Sequence, residues 1–239
     1  MKKVKTLLTS GATAAAIALS AAPAMAELEA SAAVSSQYLF RGIDQGGGGA
    51  VSGDLIYSTG GFYVGAWISS LGSSLGGSEI DTFAGWAGEF GGLGVDIGVL
   101  DYYYPGTNGA ANAADDWGKG LTEAYIGLSF AGVELYYWDQ ISGKSTALDD
   151  NSYTSLSYGM GKFSALVGFA DFEEPSAQTY DSDYTHLDIT YSYNDNLSFT
   201  LSKIVDMDDE INSNKAASGY SGTADDDLQF VVSYSIPLM

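Results

Sequence analysis

The sequence predicts an all-β transmembrane antiparallel β-barrel of about twelve strands, and three observations carry that prediction. Segments of about ten residues alternate apolar with polar or small side chains as far as the C-terminus. The breaks between these segments are alternately tight and long. An export leader precedes them. A side-chain period of two is that of a β-strand, and a closed sheet of such strands turns its apolar face to lipid and its polar face to a lumen.

The leader has the layout of a Sec-type signal peptide. Three lysines within the first five residues precede an apolar run over 7–22 and a small-x-small cleavage site at 24–26. Residues 1–26 are therefore predicted as the signal peptide, and 27–239 as a single barrel domain. No later segment reaches the roughly 18 uninterrupted apolar residues of a transmembrane helix, so we expect the exported chain to cross a membrane by strands.

The strands follow from the period-two segments. They are predicted approximately at 29–43, 50–58, 62–70, 79–89, 93–104, 120–130, 133–141, 152–159, 163–172, 183–193, 197–206 and 227–238. Tight Gly- and Asn-type turns are predicted at 59–61, 90–92, 131–132, 159–162 and 194–196. Longer connections are predicted at 44–49, 71–78, 105–119, 142–151, 173–182 and 207–226. Strict alternation of the two kinds predicts short periplasmic turns, long extracellular loops and both termini on the periplasmic side.

The alternation also assigns the two faces of each strand. The outward phase is apolar, and the inward phase contains seven acids that are predicted to line the lumen: Asp54, Glu79, Asp81, Asp96, Glu123, Glu134 and Asp188. Rings of acidic side chains favour cations. Two charged residues, Asp101 and Lys203, fall in the outward phase, where they either lie near the rim or follow a bulge that changes the phase. Tyr102–Tyr104 are expected to mark an interfacial belt.

Charge and composition narrow the function. The formal net charge is −21, from 30 acidic and 9 basic residues, and phosphate binding needs clustered Lys and Arg, so no nucleic-acid partner is expected. There is no cysteine to supply a disulfide or a thiolate ligand. Acidic stretches at 206–210 and 225–227 lack the spacing of an EF-hand loop and are interpreted as solvated surface, with weak divalent-cation bridging to lipopolysaccharide phosphates as the alternative. No cofactor or metal site is predicted.

The first half of the mature chain resembles a known family. Residues 36–43 read SQYLFRGI, residues 61–69 read GFYVGAWIS, and residues 123–129 read EAYIGLS. In order and spacing these segments resemble the TorF family of porins of Gram-negative outer membranes, whose first motif is SDYxFRGI, and the likeness extends over about 31–130. It implies a porin-like outer-membrane barrel with membrane lipid, lipopolysaccharide and the barrel-assembly machinery as partners. The chain departs from such barrels at Gln37, where the family has an acid, and at Met239, where many have an aromatic residue.

Two basic side chains are candidates for chemistry. Arg41 is the one base predicted on the inner face, where it either constricts the lumen or pairs with an inward carboxylate such as Asp54. The alternative is an ion pair that holds strand register and has no transport role. His186, the only histidine, lies in phase with Asp188 but lacks a Gly-x-Ser-x-Gly motif or another serine signature.

The sequence therefore predicts a non-enzymatic porin-like barrel of the outer membrane that passes small hydrophilic solutes by diffusion and prefers cations. Two alternatives stay open at this point. One is an outer-membrane lipid hydrolase that uses His186, and the other is a structural or envelope-interaction barrel without a conducting path.

Overall fold

The computed structural model describes residues 26–45, 48–71, 77–105, 121–142, 149–173, 181–208 and 226–239. Nearly all of the predicted signal peptide and much of the long connections, including residues 209, 210 and 225 of the two acidic stretches, lie outside these residues. The strands are β1 Glu27–Ser35, β2 Leu39–Phe40, β3 Ile43–Asp44, β4 Ala50–Thr59, β5 Phe62–Ser70, β6 Ser78–Phe90, β7 Leu93–Tyr103, β8 Thr122–Phe130, β9 Val133–Ser142, β10 Asp149–Met160, β11 Phe163–Glu173, β12 Tyr184–Ser192, β13 Leu197–Met207 and β14 Gln229–Pro237. In these ranges no helix has the length and apolar character needed to cross a membrane.

Twelve of the strands form a closed antiparallel barrel, as predicted. Strands β4 to β14 pair in chain order, and β1 closes the sheet between β4 and β14. The tight turns all lie at one end of the barrel, which we call the turn end. Gly60 and Gly61 have φ of 58° and 88°, the left-handed pair that a two-residue hairpin turn requires. The long connections all leave from the opposite end, the loop end, so both termini lie at the turn end.

The outer wall is apolar and exposed. Large side chains such as Phe62, which is 65% exposed, Leu128 and Phe230 point away from the lumen all around the barrel. An apolar surface of this extent is unfavourable in water and favourable in lipid. It is the outer wall of a transmembrane barrel, and the predicted inward and outward phases are confirmed in every strand for which they were assigned.

The two outward charges lie near the loop end and keep their predicted phase. Asp101 is two residues from the end of β7 and accepts a hydrogen bond from the Thr122 hydroxyl at 2.7 Å. Lys203 lies one residue beyond the last β13–β14 pair, Ser202 with Gln229. The only bulge beside Lys203 is on its loop side, so it does not change the phase of that residue. The rim position accounts for Asp101, whereas Lys203 lies opposite Leu187 on β12, just beyond the end of the pairing of β13 with β14.

The first predicted strand, 29–43, is wrong in its second half. Strand β1 ends at Ser35, and the chain then enters the barrel as a short hairpin of β2 and β3, closed by a hydrogen bond from the Gln45 amide to the Tyr38 carbonyl at 2.8 Å. We call residues 38–45 the lumen hairpin. Its turn is at Arg41 and Gly42, both with positive φ (50° and 83°), a geometry that no continuous strand contains.

Candidate functional site

The lumen hairpin fits against the barrel wall because its turn contains a glycine. A Cβ at Gly42 would lie 2.8 Å from the Cβ and Cγ atoms of His186 on β12. The left-handed φ at Gly42 is also costly for residues with a side chain. The RGI part of the sequence motif at 41–43 therefore has a structural reason: it places a tight turn directly on the inner wall.

Arg41 reaches across the lumen to Glu123 on β8. Its Nη1 and Nη2 donate to the two carboxylate oxygens at 2.8 and 2.7 Å, a bidentate pair. The two side chains are 4% and 0% exposed. The Tyr102 hydroxyl also donates to Glu123 Oε2, at 2.9 Å. Asp54, the partner suggested by the sequence, instead accepts a hydrogen bond from Ser31, because Arg41 has left the wall next to β4.

Aromatic rings surround the Arg41 guanidinium. Its Cζ lies 4.3 Å from the ring centroid of Tyr153 on β10, 5.6 Å from that of Trp138 on β9 and 4.8 Å from that of Phe40 in the hairpin. These distances are those of cation–π contacts. We call Glu123, Trp138 and Tyr153, the three wall residues around the guanidinium, the cation cage.

Two further acidic residues, Glu79 and Asp81, lie near the cage at the loop end of the lumen. Glu79 accepts hydrogen bonds from the hydroxyls of Tyr38 and Tyr104, both at 2.8 Å. Burial, and secondly the neighbouring Glu79 charge, raises the pKa of both phenols well above the usual value, so they stay protonated as donors. Asp81 is also buried, and its Oδ1 atom has no hydrogen-bond partner among the described residues. The loop end of the lumen thus contains more acidic than basic groups.

Tyrosines also fill the lumen on the side of the cage that faces the turn end. Asp96 on β7 is fully buried and accepts hydrogen bonds from the hydroxyls of Tyr63 at 2.6 Å and Tyr136 at 3.1 Å. The Tyr63 hydroxyl also contacts that of Tyr125. Asp96 is therefore enclosed by phenols and does not face an open channel.

The seven predicted lumen acids all face inward but fall into two groups. Glu79, Asp81, Asp96 and Glu123 are buried beneath aromatic rings and the lumen hairpin. Asp54, Glu134 and Asp188 are partly accessible, with 27% of the Asp188 side chain exposed. Their role in selectivity stays a prediction.

His186 lies on the lumen side of β12 with only 1% of its side chain exposed. Its Nε2 is 2.8 Å from the Tyr153 hydroxyl and its Nδ1 is 3.2 Å from Asp188 Oδ1. Gly42 covers the ring. A general base that activates a nucleophile for attack on membrane lipid has to lie within reach of that lipid, and this histidine faces the opposite side of the wall. No group of three or more His, Asp or Glu in the part of the chain with assigned positions has a metal-binding arrangement.

Sequence reasoning missed the aromatic filling of the lumen. Tyr102, expected in an interfacial belt, is buried and donates to Glu123, and Tyr104 donates to Glu79. Only Tyr103 of that triplet lies in the outward phase. A usable signal was present, since Tyr63 and Trp138 put large rings at inward positions. Rings at such positions favour a filled interior over a wide one.

A family model matches residues 20–236 of the sequence. The chain belongs to this family, described as a bacterial protein of unknown function (Gcw_chp). No curated protein matches this Gcw_chp sequence at a significant level.

The Gcw_chp chain is also similar in structure to solved barrels. A mutant of Rh. blastica porin with two introduced tryptophans shares 13% identity with it, at a TM-score of 0.44 over 78% of this chain and 55% of the porin. A second mutant of the same porin, with one introduced tryptophan, gives the same values. A structure titled "Asymmetric conductivity of engineered proteins" shares 9% identity, at a TM-score of 0.42 over 90% of this chain and all of the other. The chain spans about half the length of the porin chains it matches.

Proposed function

We propose that this protein is a porin-like barrel of the Gram-negative outer membrane that passes small hydrophilic solutes, with a preference for cations, past its lumen hairpin. The observation that carries the proposal is a closed barrel with an exposed apolar outer wall and an inner wall that is rich in carboxylates. The resemblance of residues 36–43 to the TorF-family motif agrees with it.

The outer-membrane location is supported by the shape of the barrel. Its short turns at one end and long connections at the other follow the asymmetry of outer-membrane barrels. Outer-membrane lipid, lipopolysaccharide and the barrel-assembly machinery are then its partners. The Sec-type leader predicted at residues 1–26 supports a route to that membrane through the periplasm.

Any conducting path through this lumen has to be narrow. The lumen hairpin fills the loop half, and the tyrosines around Asp96 extend the filling toward the turn end. Glu134 near the turn end and Asp54 and Asp188 at mid-strand retain solvent access. A narrow passage with low-dielectric walls concentrates the field of its carboxylates, which favours cations. The accessible acids are therefore the stronger candidates for selectivity.

A second candidate function is a structural barrel with no conducting path. It is favoured by the packing of the lumen hairpin, in which Tyr38, Phe40 and Ile43 are all buried. A hairpin packed this well closes the lumen unless it moves.

Single-channel recording in planar lipid bilayers separates the two functions. We compare the parent with a variant in which residues 38–45 are replaced by eight Gly and Ser residues, which keeps the length of the connection. Stepwise conductance of the parent, increased in the variant, is expected for a narrow porin. A silent parent with a conducting variant means that the hairpin closes the barrel at rest, and silence of both contradicts passage. Phospholipid cleavage by the parent that is lost in His186→Ala would support the hydrolase instead.

Selectivity is measured by the reversal potential under a tenfold KCl gradient. We expect a reversal potential whose sign indicates a preference for cations. Its magnitude should fall in Asp188→Asn and stay unchanged in Asp101→Asn, which removes a matched charge from the outward face. The preference should weaken with salt, since the screening length falls from about 10 Å at 0.1 M to about 3 Å at 1 M. Anion preference in the parent would contradict the acidic lumen as a filter.

A further inference from the structure

The cation cage belongs to the barrel wall and not to the lumen hairpin. Glu123, Trp138 and Tyr153 lie on three consecutive strands, β8, β9 and β10, and Trp138 pairs directly with Tyr153 across the β9–β10 ladder. Their positions are set by the pairing of these wall strands and not by residues 38–45. Arg41 is thus a side chain of a separate, short element that is inserted into a site built by the sheet.

The cage is held in shape by groups other than Arg41. The Tyr102 hydroxyl orients Glu123, the Tyr153 hydroxyl is hydrogen-bonded to His186, and the Tyr125 ring lies 4.2 Å from that of Trp138 between centroids. Each of these partners is on the wall. The carboxylate and the two rings therefore keep their arrangement without the guanidinium, as a preorganised site does.

The chemistry of the cage selects planar organic cations. A carboxylate that accepts two parallel N–H bonds matches the fork of a guanidinium, and aromatic faces bind it by stacking. A guanidinium is also more weakly hydrated than an ammonium, so it enters a dry site at lower cost. The buried Asp81, whose Oδ1 has no hydrogen-bond partner in the described ranges, offers a further acceptor near the same end of the lumen.

We propose that the cation cage is a binding site for guanidinium-type organic cations, occupied at rest by the protein's own Arg41, and that free cations of this class compete with Arg41 for it. Solutes that carry such a group are then the favoured cargo, a step that rests on the proposed passage through the lumen. Binding of the cation displaces Arg41 from Glu123 and frees the hairpin from one of its ties to the wall.

Chemical rescue of Arg41→Ala tests the site itself. The full chain is folded in detergent micelles, and the thermal midpoint of its folded, fast-migrating gel form is measured with millimolar guanidinium chloride. We expect the thermal midpoint of Arg41→Ala to rise by roughly 2–5 °C, because a ligand in several-fold excess over its Kd stabilises a folded chain of this size by about that much. The parent should show a much smaller rise at the same concentration, because the cation has to displace Arg41 and its apparent Kd is therefore higher. Arg41→Ala/Glu123→Gln should show none, because the carboxylate is gone.

Three controls exclude unspecific effects. KCl and urea at the same concentration should not stabilise Arg41→Ala. Lys162→Ala removes a cation that also lies near aromatic rings, 5.5 Å from the Tyr193 centroid, but on the exposed turn end, and should not respond to guanidinium. A missing response in Arg41→Ala, or equal responses in all variants, would overturn the site.

If Arg41→Ala does not fold alone, refolding from urea is compared with and without millimolar guanidinium. Folding only in its presence supports the cage, and failure in both conditions counts against it. Guanidinium and K⁺ permeabilities are then measured on the parent in bilayers. Rescue without conductance leaves the binding site standing and refutes passage, whereas conductance without rescue refutes the site and leaves passage standing.

Discussion

Replacing Glu123 by glutamine tests the buried ion pair most directly. The substitution keeps the size of the side chain and removes its charge, so the Arg41 guanidinium stays in a site where the two side chains are 4% and 0% exposed. Removal of one partner of a buried pair costs about 3–5 kcal/mol, since the other charge is left without compensation. The short bidentate geometry, 2.7 and 2.8 Å, favours a value inside that range.

The free energy of unfolding is measured by urea titration in lipid vesicles, followed by tryptophan fluorescence. Glu134→Gln is the matched control, because Glu134 also faces inward but is half-buried, with a single 3.5 Å contact from Ser157, and should lose about 1 kcal/mol or less. Arg41→Met/Glu123→Gln should be more stable than the sum of its single variants predicts, by at least about 2 kcal/mol. Equal losses in the two glutamine variants, or simple additivity in the double variant, would refute a buried pair.

Three further predictions concern the wall, the hairpin and the location. Leu128→Arg should cost about 2–4 kcal/mol because it places a charge on the lipid face, whereas Ser129→Arg points inward and should cost less in the same urea titration. Gly42→Ala should lower the free energy of unfolding by about 2–4 kcal/mol, because φ is positive there and the new methyl group would lie 2.8 Å from His186. Gly60→Ala is the control and should cost only about 1–2 kcal/mol, because φ is also positive but nothing lies within 4 Å of its methyl group. Equal costs would mean that the hairpin does not press on the wall. The protein should fractionate with outer membranes and migrate differently on SDS gels before and after boiling, and recovery as a detergent-free soluble monomer would contradict the barrel.

The sequence determined the barrel because its signals are local. Successive strand residues point to opposite faces, so a charge such as Asp96 or Glu123 in one phase assigns that whole strand. Turn residues such as Gly60 and Gly61 report their own backbone geometry. The twelve strands, the alternation of tight and long connections and the inward position of all seven acids were therefore predictable from residues adjacent in the chain.

Only the tertiary structure decided what fills the barrel. Residues 36–43 continue an alternating pattern and looked like more of the first strand, whereas their actual contacts are with residues far along the chain: Arg41 with Glu123, 82 positions away, and its carbonyl with Tyr184, 143 positions away. A local pattern contains no information on which wall residue faces which across a lumen, since that depends on strand number, tilt and register together. The cation cage, the buried tyrosines and the difference between enclosed and accessible acids all follow from that closure.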